Sequence, residues 1–227
     1  MASLEEIRVE REKKLALLRE KGLEPYPVST NRDFTLAEVV ADFAKLSKKK
    51  KAFSLAGRVR AIRGQGAIMF LDLDDGTGRF QLVLKADELG EAEMEIFRET
   101  VDLGDFIEAK GGLFLTKREE KSLSVKSWRM LAKSLRPLPD KWHGLQDIEE
   151  RFRRRYLDSL MASEVKARFL TRTRIISLIR EFLDEAEFVE VETPVLQPIA
   201  GGASAEPFIT HHNSLDTDLY LRISEEL

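Results

Sequence analysis

Three short runs of the chain alternate so as to gather an unusual set of side chains on one face. In residues 67–74, Ala67, Met69, Leu71 and Leu73 fall on one side, and Ile68, Phe70, Asp72 and Asp74 on the other. In residues 79–84, Phe80, Leu82 and Leu84 share a side and leave Arg79 and Gln81 opposite. In residues 122–126, Leu123 and Val125 share a side and leave Ser122, Ser124 and Lys126, with Glu120 in phase just before. The apolar sets make a core. The other face combines an aromatic ring, a carboxamide, carboxylates and arginine. A ring in such company can stack on an unpaired base while the polar groups read its Watson–Crick edge. Stacking of this kind is worth ~1–3 kcal/mol per base. The same ring could instead fill a gap beneath the N-terminal segment, and alternation alone does not separate the two readings.

For these strands to share a face, the surrounding segment must close on itself. From Phe53 onward the period is two, with Phe53, Leu55, Gly57 and Val59 alternating with Ser54, Ala56, Arg58 and Arg60. Asp75-Gly76-Thr77-Gly78 predicts a hairpin turn. Residues 86–99 predict a helix that packs through Leu89, Met94, Ile96 and Phe97. Residues 105–115 and 122–131 predict two more strands around the polar turn Lys117-Arg118-Glu119-Glu120. Three strands, a helix and two strands is the element order of an OB-fold barrel. Upstream, residues 3–21 predict a helix, because Leu4, Ile7, Arg11, Leu15 and Leu18 recur every three or four positions. Gly22, Pro25 and Pro27 end it. Its cations Arg8, Arg11, Lys13, Lys14 and Arg19 belong either to a solvated arm packed on its neighbour or to an RNA-backbone contact, against which the interleaved glutamates argue. Residues 35–46 predict a short helix with Leu36, Val39, Val40 and Phe43 inward, and the tetralysine run that follows, Lys48 to Lys51, predicts a solvated loop.

Arg136-Pro137-Leu138-Pro139 reads as a linker, since proline removes donors and disfavours helix around it. Beyond it the period returns to about 3.6. Residues 149–157 predict a helix carrying Arg151, Arg153, Arg154 and Arg155. Residues 163–185 predict a long amphipathic helix with Val165, Phe169, Ile175, Ile176, Ile179 and Phe182 on its apolar side. Residues 188–192 and 219–223 predict strands on either side of the small-residue loop Gly201-Gly202-Ala203-Ser204-Ala205. These elements leave apolar surface that no later residue covers, so the chain reads as the N-terminal part, or a truncated frame, of a longer protein. His211 and His212 are adjacent on a strand and point to opposite sides, which favours structural roles over a shared metal.

Composition excludes several classes. The 227 residues are 43% hydrophobic and 34% charged, enough for a core. With 37 Lys+Arg against 40 Asp+Glu the net charge is −3, so any RNA contact must come from a local face rather than from bulk charge. Without cysteine there is neither a disulfide framework nor a thiolate zinc site, as suits a reducing compartment. No apolar run approaches the ~20 residues of a membrane span. The acidic N-terminus is no signal or transit peptide, and a cytoplasmic location is expected.

The segment Leu135-Arg136-Pro137-Leu138-Pro139-Asp140-Lys141-Trp142-His143-Gly144-Leu145-Gln146-Asp147 resembles the interdomain linker of bacterial-type class II lysyl-tRNA synthetases. The resemblance continues through Arg155-Tyr156-Leu157-Asp158, Val189-Glu190-Val191-Glu192-Thr193-Pro194 and Gly201-Gly202-Ala203. It ends with Phe208-Ile209-Thr210-His211-His212-Asn213-Ser214-Leu215-Asp216 and Tyr220-Leu221-Arg222-Ile223. These blocks keep the family's order and spacing, and the Thr-His-His-Asn block sets it apart from aspartyl and asparaginyl relatives.

The resemblance implies an α+β chain with a helical arm (1–52), a five-stranded OB-fold anticodon-binding barrel (53–134), a linker with a basic helix (135–162) and the start of a class II catalytic domain (163–227). It implies lysine–tRNA ligation through a lysyl-adenylate made from ATP with Mg2+. The family's anticodon pattern maps onto Arg63, Phe70, Gln81 and Glu120, the ring stacking on the central uridine of tRNA-Lys. Gly202 falls where the family's backbone approaches lysine, and Glu226 where a carboxylate holds its α-ammonium. The helix–strand unit ending at Pro194 looks like motif 1, which builds a homodimer in the family. Glu206 and Ser159 depart from the family pattern. The motif 2 and motif 3 arginines and the magnesium carboxylates have no counterparts here, so the polypeptide alone is expected to show no ATP–pyrophosphate exchange. The rival readings are a noncatalytic RNA-binding module derived from a synthetase, distinguished by the reading frame after Leu227, and a related class II synthetase of other amino-acid specificity.

Overall fold

The computed structural model describes residues 3–64, 66–139 and 145–225. The chain divides into two compact units, Met1–Arg151 and Phe152–Leu227.

In the first unit, α1 (Leu4–Glu20) starts at Ser3, whose hydroxyl accepts from Glu6 N–H while the Glu6 carboxylate accepts from Ser3 N–H. This reciprocal cap satisfies donors that the helix start leaves free. Leu18 is fully buried, and Gly22 takes a φ of 73° as the helix ends. Arg11 and Lys14 face the protein. The Arg11 guanidinium donates to the carbonyls of Leu103, Ser134 and Arg136 at 2.9–3.0 Å, and Lys14 Nζ lies 2.6 Å from Asp102. These two cations therefore fasten the arm and are not offered to RNA.

The expected helix 35–46 is two helices, α2 (Leu36–Ala41) and α3 (Phe43–Ser47), broken at Asp42. Leu36, Val39 and Phe43 are buried as expected, but Val40 is 39% exposed. Five strands follow: β1 (Ala52–Arg63), β2 (Ile68–Asp74), β3 (Arg79–Lys85), β4 (Phe106–Leu115) and β5 (Lys121–Ala132). They close into a barrel of order β1-β2-β3-β5-β4, with β4 pairing back on β1. The β3–β5 pair is parallel, which requires a crossover. Helices α4 (Ala86–Leu89) and α5 (Glu91–Thr100) lie within it. A single helix was expected over 86–99, but Gly90, at a φ of 97°, divides it. Leu55, Leu71, Leu73, Leu82, Ile107 and Leu123 fill the interior with no exposure. Phe97 closes one side, its ring 4.9 Å from and edge-on to Trp128.

The basic helix expected at 149–157 is also two pieces, α6 (Ile148–Arg153) and α7 (Arg155–Met161), with Arg154 non-helical between them at φ −117°, ψ 48°. In the second unit α8 runs Ser163–Glu185, the bounds expected. It ends with Glu187 at a φ of 65°, Glu187 N–H donating to Asp184 O and Phe188 N–H to Leu183 O, both at 3.0 Å. That is a Schellman stop built on a residue other than glycine. Residues 188–192 are not a strand. No strand pairs with them among the described residues, and Glu190 instead receives two bonds from Arg180 Nε and one from its Nη2 at 3.0–3.1 Å. A small antiparallel sheet of order β6-β8-β7 follows, from β6 (Leu196–Gln197), β7 (Ile209–His212) and β8 (Thr217–Leu221). The last strand thus lies two residues earlier than expected. Residues 140–144 of the linker block fall outside the described residues, as do Gln65 and Glu226.

Candidate nucleic-acid interface

The outer face of β1, β2, β3 and β5, with the β4–β5 turn, forms an open groove of about 1360 Å³ that includes Arg63, Phe70, Gln81 and Glu120 in its lining. Each is placed by strand register. Phe70 lies opposite Arg63 on β1 and Val83 on β3. Gln81 lies opposite Asp72 on β2 and Ser122 on β5. Phe70 is partly buried, and among the described residues no aromatic ring or cation lies against it. The rings that do pair in the barrel are others, such as Phe34 on Phe53.

Arg63 reaches the groove through a β-bulge. Val59 pairs with Leu73 but Ala61 pairs with Asp72, so one extra residue is inserted at Arg60. Before the bulge, odd-numbered residues face inward. After it Ile62 packs on the core and Arg63 turns outward beside Phe70. Alternation extrapolated from Phe53 to Val59 is blind to this. The available signal was Ile62 itself, an apolar residue out of phase with Val59.

The polar groups form one chain. Arg63 Nη2 donates to Asp72 Oδ1 at 2.7 Å and to Gln81 Oε1 at 3.2 Å. Gln81 Nε2 donates to Ser122 Oγ at 2.8 Å, and that hydroxyl donates to Glu120 O at 3.2 Å. Ser122 was expected on the outer face and is on it, yet fully buried beneath these partners. The turn after β4 is closed by Thr116, whose N–H donates to Glu120 O at 3.0 Å and whose hydroxyl accepts from Glu120 N–H at 3.1 Å. Glu119 takes a φ of 62°, and both Glu119 and Glu120 line the groove. Lys85 and Phe114, which the strand pattern did not single out, line it as well, with Lys85 Nζ 5.6 Å from the ring centroid.

In the second unit, Gly202 has a φ of 90°, and a Cβ there would stand 2.7 Å from Ser224 Cβ. Only glycine fits. The His211 ring bonds Asp218 at 2.9 Å and His212 Nδ1 accepts from Leu215 N–H at 3.2 Å, so each histidine has a local partner.

Comparison with known proteins bears on both units. A model described as an OB-fold nucleic acid binding domain matches residues 53–131, and one described as tRNA synthetases class II (D, K and N) matches residues 147–227. The chain therefore joins an OB-fold nucleic-acid-binding domain to class II synthetase sequence. Within that class it is homologous to the N-terminal part of lysine–tRNA ligases. It is 45% identical over 227 residues to the lysine–tRNA ligase of Dehalococcoides mccartyi, an alignment covering 98% of this chain and 45% of that one. It is 49% identical over 225 residues to that of a Roseiflexus species (99% and 46%), and 48% identical over 218 residues to that of Clostridium perfringens (96% and 43%). The chain thus spans less than half the length of these relatives. No helix among the described residues is long and apolar enough to cross a membrane.

Proposed function

We propose that the chain binds the anticodon stem-loop of tRNA-Lys through the barrel groove, as the anticodon-binding part of a lysine–tRNA ligase, an enzyme of the cytoplasm. The observation that carries this reading is the locked carboxamide of Gln81 beside an unstacked Phe70 ring. Arginine can only donate, so its bond fixes Gln81 Oε1 toward Arg63 and Nε2 toward Ser122. The free lone pair of Oε1 then suits the N3–H of uracil, and the second Nε2 hydrogen or a further Arg63 N–H suits a uracil carbonyl. Cytosine presents an acceptor at N3 and meets the wrong group unless the amide turns over and breaks its bond to Arg63. Glu120, exposed on the turn, closes the pattern. The test is binding of RNA hairpins that differ only in the central anticodon base. The native chain is expected to prefer uridine over cytidine by about tenfold or more, the scale of one good polar contact. Gln81→Ala is expected to abolish the preference. A native chain indifferent to that base sinks the reading.

The remaining assignments follow the same family reading. The barrel domain is taken as 53–134, between the arm of 1–52 and the linker segment of 135–162, with the catalytic region beginning at 163. Gly202 brings the backbone close to lysine, and Glu226, outside the described residues, holds its α-ammonium. The motif 1 helix α8 serves a homodimer. Ligation in this family uses ATP and Mg2+. Among the described residues no group of three or more His, Asp or Glu side chains is placed to hold a metal ion. No activation step is assigned to the described residues.

A further inference from the structure

The tetralysine run is a basic segment for which the base-reading groove has no use. With Lys45 in the last turn of α3 it places five lysines within seven residues, Lys45 and Lys48 to Lys51, with no acid among them. All five are exposed, and none makes an ion pair with another described residue. Several other cations of the barrel are matched. Lys85 pairs with Glu88 at 2.5 Å, Arg129 with Glu108 at 2.8 Å, and Lys133 with Asp102 and Asp105 at 2.6 and 2.7 Å. In a chain of net charge −3 this turn is a concentrated patch of uncompensated positive charge.

Its placement gives the patch a meaning. Both ends of the turn are tied to the groove. On the N-terminal side, Val40 lines the groove, and its carbonyl accepts from Lys121 Nζ at 2.9 Å while that ammonium stands 5.5 Å from the ring centre of Phe43 at the start of α3. On the C-terminal side, Ala52 pairs with Gly112 on β4, two residues before Phe114 in the groove wall. Two residues of strand are about 7 Å. Because β1 and β4 are antiparallel, the residues preceding Ala52 run toward the same end of the barrel as the β4–β5 turn, where Lys117 and Arg118 line the groove. The lysine turn therefore borders the rim of the site.

We propose that this turn is a second RNA contact, holding the phosphate backbone that flanks the bases in the groove; the inference rests on the anticodon-binding reading. RNA is favoured over an anionic membrane because strand direction carries the patch toward the end of the barrel that holds the proposed base-stacking groove. It also offers no apolar side chain for insertion, since Leu46 and Phe53 on either side are 3% exposed.

The test uses the full chain, a hairpin carrying the tRNA-Lys anticodon loop, and affinities measured across a range of salt. The variant is Lys48→Gln, Lys49→Gln, Lys50→Gln and Lys51→Gln combined, with the four Lys→Arg replacements as the charge-preserving control. Every phosphate of single-stranded RNA that the protein ceases to neutralise lowers the slope of log affinity against log salt by about 0.7. With four charges removed, the glutamine variant is therefore expected to show a slope shallower by up to about 3 units and to bind about tenfold or more weakly at low salt, with its preference for uridine intact. The arginine variant is expected to behave as the native chain. Phe70→Ala should weaken binding with no change of slope. If the slope survives the glutamines while Phe70→Ala weakens binding, the turn proposal is overturned and the groove reading stands. If Phe70→Ala is silent while the glutamines reduce the slope, the groove reading fails and the turn stands as an RNA contact of its own. Loss of binding to phosphatidylserine vesicles with RNA affinity untouched would also overturn the proposal.

Discussion

Phe70 is partly buried, lies opposite Arg63 and Val83 on the neighbouring strands, and lines the groove. Removing it takes away the proposed stacking platform. Phe70→Ala is expected to weaken binding of the anticodon hairpin by ~1–3 kcal/mol, about 5- to 150-fold, and Phe70→Trp to retain most of it. Unchanged affinity in the alanine variant would refute the stacking role. A second residue-scale prediction concerns Glu108, which ties the strap before α2 to the barrel. Burial pushes its carboxyl up. The Arg129 guanidinium, the Thr30 hydroxyl and Asn31 N–H outweigh burial and hold the pKa at about 2. A carboxylate depressed in the folded state stabilises fully above its ordinary value of 4.5 and loses that contribution as pH falls through about 2. Glu108→Gln is expected to destabilise by about 2–3 kcal/mol at neutral pH, with the gap from the native chain closing between those two values. Urea unfolding of both proteins at several pH values checks this, and a pH-independent gap would contradict it.

Elements were legible where the signal is local. The two-residue period of β2 and β3 and the bounds of α8 match expectation because side-chain alternation and helical amphipathicity belong to a single segment. Breaks were less legible. Asp42, Gly90 and Arg154 each interrupt a helix that periodicity runs straight through. The segment 188–192 has the composition of a strand, yet a strand is defined by its partner and none of the described strands pairs with it. β4 carries its own irregularity between Lys110 and Gly111. A Cβ on Gly111 would collide with the Ser124 carbonyl of the neighbouring strand, whereas one on Gly112 meets open space. Gly111→Ala is therefore expected to destabilise the barrel by about 3 kcal/mol or more, and Gly112→Ala to change stability by less than about 1 kcal/mol. Thermal unfolding of the pair decides it, and equal midpoints would show that the barrel does not need the bare backbone.

At the scale of the molecule, the barrel unit has a closed core, while α8 in the other unit leaves its apolar side open. Val165 is buried, but Ile175, Ile179 and Phe182 are 52%, 54% and 69% exposed. If this face serves the proposed homodimer, the native chain sediments as a dimer and Ile179→Glu with Phe182→Glu yields a monomer with unchanged hairpin affinity. A native chain that is monomeric at high concentration would remove that assignment. The sequence by itself determined the barrel strands and the long helix α8, their apolar faces, and the outward set Phe70, Gln81 and Glu120, because period and phase are properties of one strand or helix. Arg63 entered that set through resemblance alone, and only the tertiary structure decided that it turns onto the same face, that Ser122 lies buried there and that Gln81 is locked in one orientation. Those facts depend on a bulge and on register between strands far apart in the chain, which no single segment encodes.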